Sequence, residues 1–325
     1  MDSLPLDTSH PAVRQYLALI RLQVLTPLSL LINIAAVIVC SVLVTPSIGD
    51  VSRRFPTSIS PRPVIIAIYV AAIYAGQLGY CVLIVLARKA ETKPNCKSTV
   101  TKVGLSLVVA NWVMALWTVA WVFEWFLLST ILQGILLLTL IYANLVLLIY
   151  HPPTSARPFD TMLIHAPLRF FLVLQFGLMF PLSLFINLGL TYTPITPGPP
   201  RDYAEHPWPG FGVVLGTNLL GLIVVILRRD IVWCVSATWI CVSIWALKPK
   251  PGPVFVVAIL FTVLHPLALI GTYIYSAFYK RRGITLPPED DALYGRSANG
   301  RVAPSAPQPE SNNGPREVNE DEVWG

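Results

Sequence analysis

Eight long runs of apolar residues, almost free of charge, dominate this sequence. The hydrocarbon core of a bilayer is about 30 Å thick, so a helix needs about 20 apolar residues to cross it. A helix also satisfies its own backbone hydrogen bonds, which lipid cannot do. The runs lie at approximately residues 23–45, 64–87, 103–122, 127–149, 169–191, 210–227, 231–247 and 253–279. The sequence therefore predicts an all-α, polytopic membrane helix bundle of about eight transmembrane helices.

The composition agrees with that prediction. Hydrophobic residues make up 54% of the chain and charged residues only 12%, whereas an ordinary soluble domain carries roughly 25% charged residues. Most of the charges also lie in short clusters between the apolar runs. A chain of this kind cannot build a water-compatible surface, so we expect a lipid bilayer as its main partner and expect no nucleic-acid partner.

Two of the predicted connections are tight turns. A single helix covering the third and fourth runs would be about 70 Å long at 1.5 Å per residue, which is more than twice the bilayer core. We therefore predict a hairpin near Phe123, Glu124 and Trp125. The sixth and seventh runs are separated only by Arg228, Arg229 and Asp230. Charges are costly at the bilayer centre, so this cluster predicts a second turn.

The distribution of Lys and Arg predicts the orientation, because short loops rich in these residues tend to stay cytoplasmic. With eight spans, one side holds fourteen of these residues: Arg14, Arg21, Arg88, Lys89, Lys93, Lys97, Lys102, Arg157, Arg169, Arg228, Arg229, Lys280, Arg281 and Arg282. The opposite side holds six: Arg53, Arg54, Arg62, Arg201, Lys248 and Lys250. We therefore expect both termini in the cytoplasm. The sequence does not indicate the organelle.

The chain divides into three predicted parts. Residues 1–22 form a cytoplasmic N-terminal segment, and residues 23–279 form the transmembrane bundle. Residues 280–325 begin with a basic cluster and continue as an acidic tail rich in Pro and Ser. Beyond Gly283 the tail has eight acidic residues and three arginines. So few apolar residues cannot form a packed core, so we predict a disordered tail.

Residues able to carry catalysis are scarce within the spans. Glu124 is the one acidic residue there, and its place in the predicted hairpin turn indicates a solvated carboxylate. His265 precedes Pro266, whose ring frees a backbone carbonyl one turn earlier, so we expect the imidazole to bond that local backbone. The histidines and five cysteines show no metal-ligand spacing, and no nucleophile or phosphate-loop motif is present. We predict no catalytic residue, no metal site, no cofactor and no enzymatic activity.

Tryptophan placement is the unusual feature of the spans. Trp117, Trp121 and Trp125 are spaced to lie on one helix face. Those near span ends, including Trp125, are typical of the aromatic belts at membrane surfaces. Trp121 and Trp239 lie deeper. Deep indoles can line a pocket for a flat apolar ligand, or they can pack as bulky core residues, and the pattern alone leaves both readings open.

Three segments together resemble the multipass membrane family related to the tryptophan-rich sensory protein and translocator protein. The segment from Pro63 to Tyr74 is similar to that family's Pro-led span, with an aromatic residue and then Ile-Tyr. The segment from Trp117 to Glu124, with Ser129 after it, resembles the family's tryptophan hairpin. The segment from Arg228 to Trp233, followed by Trp239, looks like its charged turn and late tryptophan.

The resemblance covers residues 60–250 and implies an all-helical bundle that binds a sterol-like or tetrapyrrole-like molecule without established catalysis. The chain departs from the family's pattern at Met114, where an asparagine is expected, and at Tyr69, which replaces the usual tryptophan. The ligand-binding positions that the resemblance implies are Tyr69, Tyr74, Trp117, Trp121 and Trp239.

Our principal hypothesis is therefore a non-enzymatic membrane protein that binds or moves a hydrophobic small molecule. Three alternatives remain: a membrane scaffold or trafficking protein with a partner-binding tail, a transporter of polar solutes, and a lipid-modifying enzyme. A transporter would be expected to contain broken helices near the bilayer midplane. An enzyme would have to use Glu124 and His165, which the predicted topology places at opposite membrane faces.

Overall fold

A computed structural model describes residues 11–86, 94–150, 161–192 and 206–281, and these residues contain helices and no strands. The α-helices are α1 Pro11–Ile38, α2 Ile48–Arg54, α3 Pro63–Leu86, α4 Pro94–Val122, α5 Phe126–Tyr150, α6 Ala166–Leu174, α7 Phe180–Asn187, α8 Pro207–Arg228, α9 Ile231–Trp245 and α10 Gly252–Arg281. Three π-helices add Val39–Leu43 after α1, Thr161–His165 before α6, and Gln175–Met179 between α6 and α7.

The predicted all-α membrane bundle is confirmed. Within the described ranges, seven helical segments are long and apolar enough to cross a membrane, and each corresponds to one of the predicted runs. The fifth of them, Met162–Asn187, is assembled from α6, α7 and two π-helices. The remaining predicted run corresponds to α9, which is apolar but has only 15 residues. The predicted number of about eight helices therefore roughly matches the seven candidate spans and the shorter α9 of the described residues.

Both predicted turns are present. α4 ends at Val122 and α5 begins at Phe126, and between them Glu124 adopts a left-handed conformation with φ of 59°. Arg229 has φ of 52° between α8 and α9. Such backbone conformations are uncommon for residues other than glycine, and each reverses the chain in very few residues.

Contacts between the connections define two ends of the bundle. At the Glu124 end, Arg54 pairs with Glu124 at 2.5 Å, and the Arg62 N–H donates to the Ser243 carbonyl at 2.7 Å. At the Asp230 end, Arg169 pairs with Asp230 at 2.7 Å. The helix α9 runs from Asp230 at one end to Ser243 at the other. Although short, α9 therefore connects the same two ends as its longer neighbours.

The connection between α1 and α3 is a folded cap at the Glu124 end. Ser47 and Asp50 form a reciprocal capping box that starts α2, and the hydrogen bonds from Ser47 lower the pKa of Asp50 to about 2. Ile59 is fully buried. The Lys250 ammonium donates to the carbonyls of Ser58, at 3.2 Å, and Ser60. This cap was not predicted from the sequence, because its few apolar residues form no helical period.

Lys250 predicts a pH-dependent stability. Burial lowers its pKa to about 7 from the ordinary 10.5. The unfolded chain therefore binds more protons than the folded chain between these two values, so stability rises with pH through that window. We expect the melting temperature in detergent to rise from about pH 7 to about pH 9. Lys250→Met should remove this rise, and the exposed Lys248→Met should retain it; equal slopes in the two variants would contradict the assignment.

Close helix contacts depend on glycine at particular positions. A Cβ on Gly76 of α3 would lie 2.5 Å from the Pro167 Cγ of α6, and one on Gly79 would lie 2.7 Å from a Leu163 methyl. Gly76 and Gly79 therefore allow α3 to pack closely against this part of the chain. Gly212 and Gly216 of α8 have open space where a Cβ would be, so they make no such close contact with the described residues.

One compact unit extends to Phe278, and a second comprises Tyr279–Gly325. Of the second unit, the structure describes only the end of α10. The predicted tail from residue 282 onward lies outside the described residues, as do residues 1–10. The three-part division of the chain, with boundaries after residues 22 and 279, therefore stays a prediction.

Candidate functional site

Tyr69 and Trp239 come together from distant parts of the chain. Tyr69 of α3 is fully buried, and its hydroxyl donates to the Phe170 carbonyl at 2.8 Å. The Trp239 ring of α9 meets the Tyr69 ring edge-on, with 5.7 Å between centroids. The Trp239 Nε1–H donates to the Ile65 carbonyl at 3.2 Å. Both polar groups are therefore satisfied by backbone, and the two rings hold α3, α6 and α9 together.

Trp239 also lines an apolar groove of about 530 Å³. The lining residues come from α3, α9 and α10: Ile65, Ile68, Cys234, Val235, Thr238, Trp239, Val242 and Pro266. Ile68 is 54% exposed and Val235 44% exposed, so the groove faces outward, where lipid surrounds the bundle. Its volume is in the range of about 300–1,000 Å³ that small-molecule sites occupy.

Trp117 and Trp121 lie in a different part of the core. Both are buried on α4, with their rings 5.4 Å apart, as their spacing predicted. The Trp121 Nε1–H donates to the Ile48 carbonyl of the cap at 3.4 Å, and its ring meets Phe126 edge-on. Trp121 therefore fastens the cap to the α4–α5 hairpin, which is the core-packing reading that the sequence left open.

Tyr74 belongs to a polar network between α1, α3 and α4. Its hydroxyl donates to Asn33 Oδ1 at 3.3 Å, and Asn33 Nδ2 donates to Asn111 Oδ1 at 2.9 Å. Both asparagines are fully buried. The five implied binding positions therefore divide into three groups: Tyr69 with Trp239, Trp117 with Trp121, and Tyr74 with the two asparagines.

The ionisable residues singled out in the sequence have structural partners. Glu124 is paired with Arg54 in the turn, as expected for a solvated carboxylate. His265 is fully buried, and its Nδ1 lies 2.8 Å from the Phe261 carbonyl. The imidazole therefore bonds local backbone as predicted, at the residue before Thr262, whose carbonyl Pro266 frees. His165 is buried in the π-helix before α6. Within the described residues, no group of His, Cys, Asp or Glu is arranged to hold a metal ion.

Sequence reasoning missed the buried ion pair between Arg169 and Asp230. Their side chains are only 8% and 5% exposed. Asp230 also accepts a hydrogen bond from the Trp233 N–H at 3.1 Å, which caps the start of α9. Two features of the sequence could have indicated this pair: Arg169 is the single arginine at the edge of the fifth apolar run, and Asp230 is the single acidic residue of the second turn. The predicted topology placed both residues on the same side of the membrane.

Eight apolar helices joined by turns at two ends, with an apolar groove on the outer surface, define a polytopic helical membrane protein. The family model described as TSPO-like protein matches residues 23–272, so the chain belongs to the TSPO-like protein family. This match confirms the resemblance found between residues 60 and 250 and extends it toward both ends of the bundle. Comparison with curated proteins and with solved structures gave no match.

Proposed function

We propose that this membrane protein binds, or moves, a hydrophobic small molecule of sterol-like or tetrapyrrole-like shape, and that it is not an enzyme. The groove lined by Trp239 carries this proposal, because two of the five implied binding positions meet there. Trp239 contributes an indole face at the groove, and Tyr69 supports that indole from behind.

The chemistry of the groove favours an uncharged, flat ligand. Its lining residues include no charged side chain, and the polar side chains among them are Thr238 and Cys234. The lining residues of α9 run from Cys234 to Val242, which corresponds to about 12 Å of helix at 1.5 Å per residue. A rigid ring system of similar length could enter directly from the bilayer and stack on the indole.

Cross-linking to a photoreactive cholesterol analogue, with protoporphyrin IX as competitor, tests this proposal in the protein purified in mild detergent. We expect cross-links on α9 within the groove. Trp239→Leu should weaken binding about tenfold, which corresponds to about 1.4 kcal/mol of lost ring contact. Mass spectrometry of the purified protein should also detect a co-purifying sterol or pigment.

Trp121→Leu is the matched control, because it removes a buried indole from another part of the core, where its Nε1–H donates to the Ile48 carbonyl. This variant should retain cross-linking in its folded fraction. Equal cross-linking of wild-type and Trp239→Leu protein, or recovery of bulk lipids alone, would reject the groove as the binding site.

One observation favours the alternative of a solute transporter. The fifth span contains the π-helix Gln175–Met179 and then Pro181 in the first turn of α7, although the segment is helical throughout from Thr161 to Asn187. Single π-helical turns within α-helices are frequent at functional sites. For the enzyme alternative, Glu124 and His165 lie toward opposite ends of the bundle, so they could not act on one substrate. The scaffold alternative rests on the tail, outside the described residues.

We further propose that both termini face the cytoplasm. The support is the fourteen-to-six distribution of Lys and Arg, together with the contacts that place the connections at the two ends expected for eight crossings.

A further inference from the structure

Five buried polar side chains around the irregular fifth span have unused hydrogen-bonding atoms. They are Trp117 of α4, Ser129 and Gln133 of α5, Gln175 of the π-helix and Ser183 of α7, and none is more than 3% exposed. The atoms without a partner among the described residues are Trp117 Nε1, Ser129 Oγ, both amide atoms of Gln133, Gln175 Oε1 and Ser183 Oγ. We call these five residues the buried amide cluster.

Contacts along α5 bring one part of the buried amide cluster together. Ser129 and Gln133 are four residues apart, so they lie on one helix face a turn apart. The adjacent Thr130 hydroxyl donates to the Ser183 carbonyl at 3.0 Å. A Cβ on Gly134 would lie 3.6 Å from Phe180, the residue that follows the π-helix. α5 and α7 are therefore packed together immediately beside Ser129 and Gln133, over the stretch of α7 that contains Ser183.

Contacts along α4 bring the other part to the same level. Gln175 Nε2 lies 4.0 Å from Met114 Sδ, and Met114 is three residues from Trp117 on one helix face. Both depths can be measured along the helix axes from the turn between α4 and α5. Trp117 lies about 7 Å from the end of α4 at that turn, and Gln133 lies about 10 Å from the start of α5. The indole and the amide therefore lie at similar depths on adjacent helices.

The unused atoms are costly if they have no partner. Each buried polar atom without a hydrogen bond costs about 1–3 kcal/mol, and six of them would consume much of a protein's net stability. Native structures usually satisfy such groups with ordered water or a ligand.

We propose that the buried amide cluster is a binding site for neutral oxygen atoms that both donate and accept hydrogen bonds. These oxygens belong either to ordered water or to the hydroxyl group of a lipid. The cluster contains no ionisable carboxylate, imidazole, ammonium or guanidinium group, so it offers nothing to balance the charge of an ion. Its indole and amide N–H groups donate to the oxygen, while its amide oxygens accept. This inference does not depend on ligand binding in the Trp239 groove.

Radiolytic hydroxyl labelling of the full-length protein tests the site, because bound water is a local source of radicals. We expect oxidation of Met114 and Trp117 although both are buried. Trp121 is the internal control, because it is equally buried and its Nε1–H already donates to backbone. Gln133→Leu should remove the labelling of Trp117 and leave Trp121 unchanged. Labelling that appears only after lipid is stripped by detergent would assign the oxygens to a lipid hydroxyl.

A dry cluster is the outcome that would overturn the proposal. Met114 and Trp117 would then stay unlabelled with and without lipid, and Gln133→Leu would raise the melting temperature by removing unpaired atoms. An occupied site predicts the opposite, a lower melting temperature for Gln133→Leu. Asn144→Leu is the matched variant on α5, because the Asn144 amide already donates to the Leu140 and Leu168 carbonyls. It should lower the melting temperature in either case.

Discussion

Replacing Arg169 with methionine is expected to destabilise the protein by about 3–5 kcal/mol, because it leaves the Asp230 carboxylate buried without its partner. The two side chains are almost completely shielded from solvent and pair at 2.7 Å. Removing one member of such a pair costs far more than removing both. The unfolding midpoint in detergent, followed by intrinsic fluorescence, measures the loss.

Two further variants distinguish the loss of the charge partner of Asp230 from an unspecific loss of packing around residue 169. Adding Asp230→Asn to Arg169→Met should restore most of the stability, because asparagine carries no charge and still caps the start of α9. Arg54→Gln breaks an ion pair in which the side chains are 53% and 31% exposed, so it should cost at most about 1 kcal/mol. A double variant as unstable as Arg169→Met alone would show that the arginine acts through packing.

Gly76→Ala is expected to destabilise the protein by about 1–3 kcal/mol, which is the usual cost of an extra carbon in a packed interface. The added methyl would lie 2.5 Å from Pro167 Cγ and 3.0 Å from its Cβ. The proline ring cannot rotate away as a flexible side chain does, so α3 and α6 must move apart. A lower melting temperature in detergent would measure this separation.

Gly216→Ala provides the control for the glycine substitution. Outside the adjacent backbone of α8 itself, no heavy atom lies within 4 Å of a Cβ at Gly216. Alanine is the better helix former, so the melting temperature should stay constant or rise slightly. If Gly76→Ala behaved in the same way, the close contact between α3 and α6 would not exist in the membrane-extracted protein.

The helices could be predicted because hydrocarbon imposes a length and excludes charge. These two constraints were enough to predict the turns at Glu124 and Arg229. They were also enough to predict the positions of the seven candidate spans and of the shorter α9. The cap between α1 and α3 escaped prediction because its stability comes from contacts distant in sequence, such as that from Lys250 to the Ser58 carbonyl. The π-helices were also not predicted, because one extra residue in a helical turn barely changes the pattern of an apolar run.

The sequence could predict some of the residues of the candidate site, but it could not predict which of them contact one another. Resemblance selected Tyr69 and Trp239, which meet, but it also selected Tyr74 and Trp121, which lie in other contacts. Periodicity groups residues on one helix, as it did for Trp117 and Trp121. It cannot decide which face of α9 packs against α3, because that depends on helix rotation. The lining of the groove therefore required the three-dimensional structure.

The shortness of α9 has a consequence for the surrounding lipid. Its 15 residues span about 22 Å, against about 30 Å of hydrocarbon in a typical bilayer. Ile231 and Val235 face outward, so lipid chains must shorten locally to match this side of the protein. Hydrophobic mismatch of this kind costs a fraction of a kcal/mol per Å and favours thin membranes. We therefore expect the bilayer to be thinner beside the Trp239 groove than beside the longer helices.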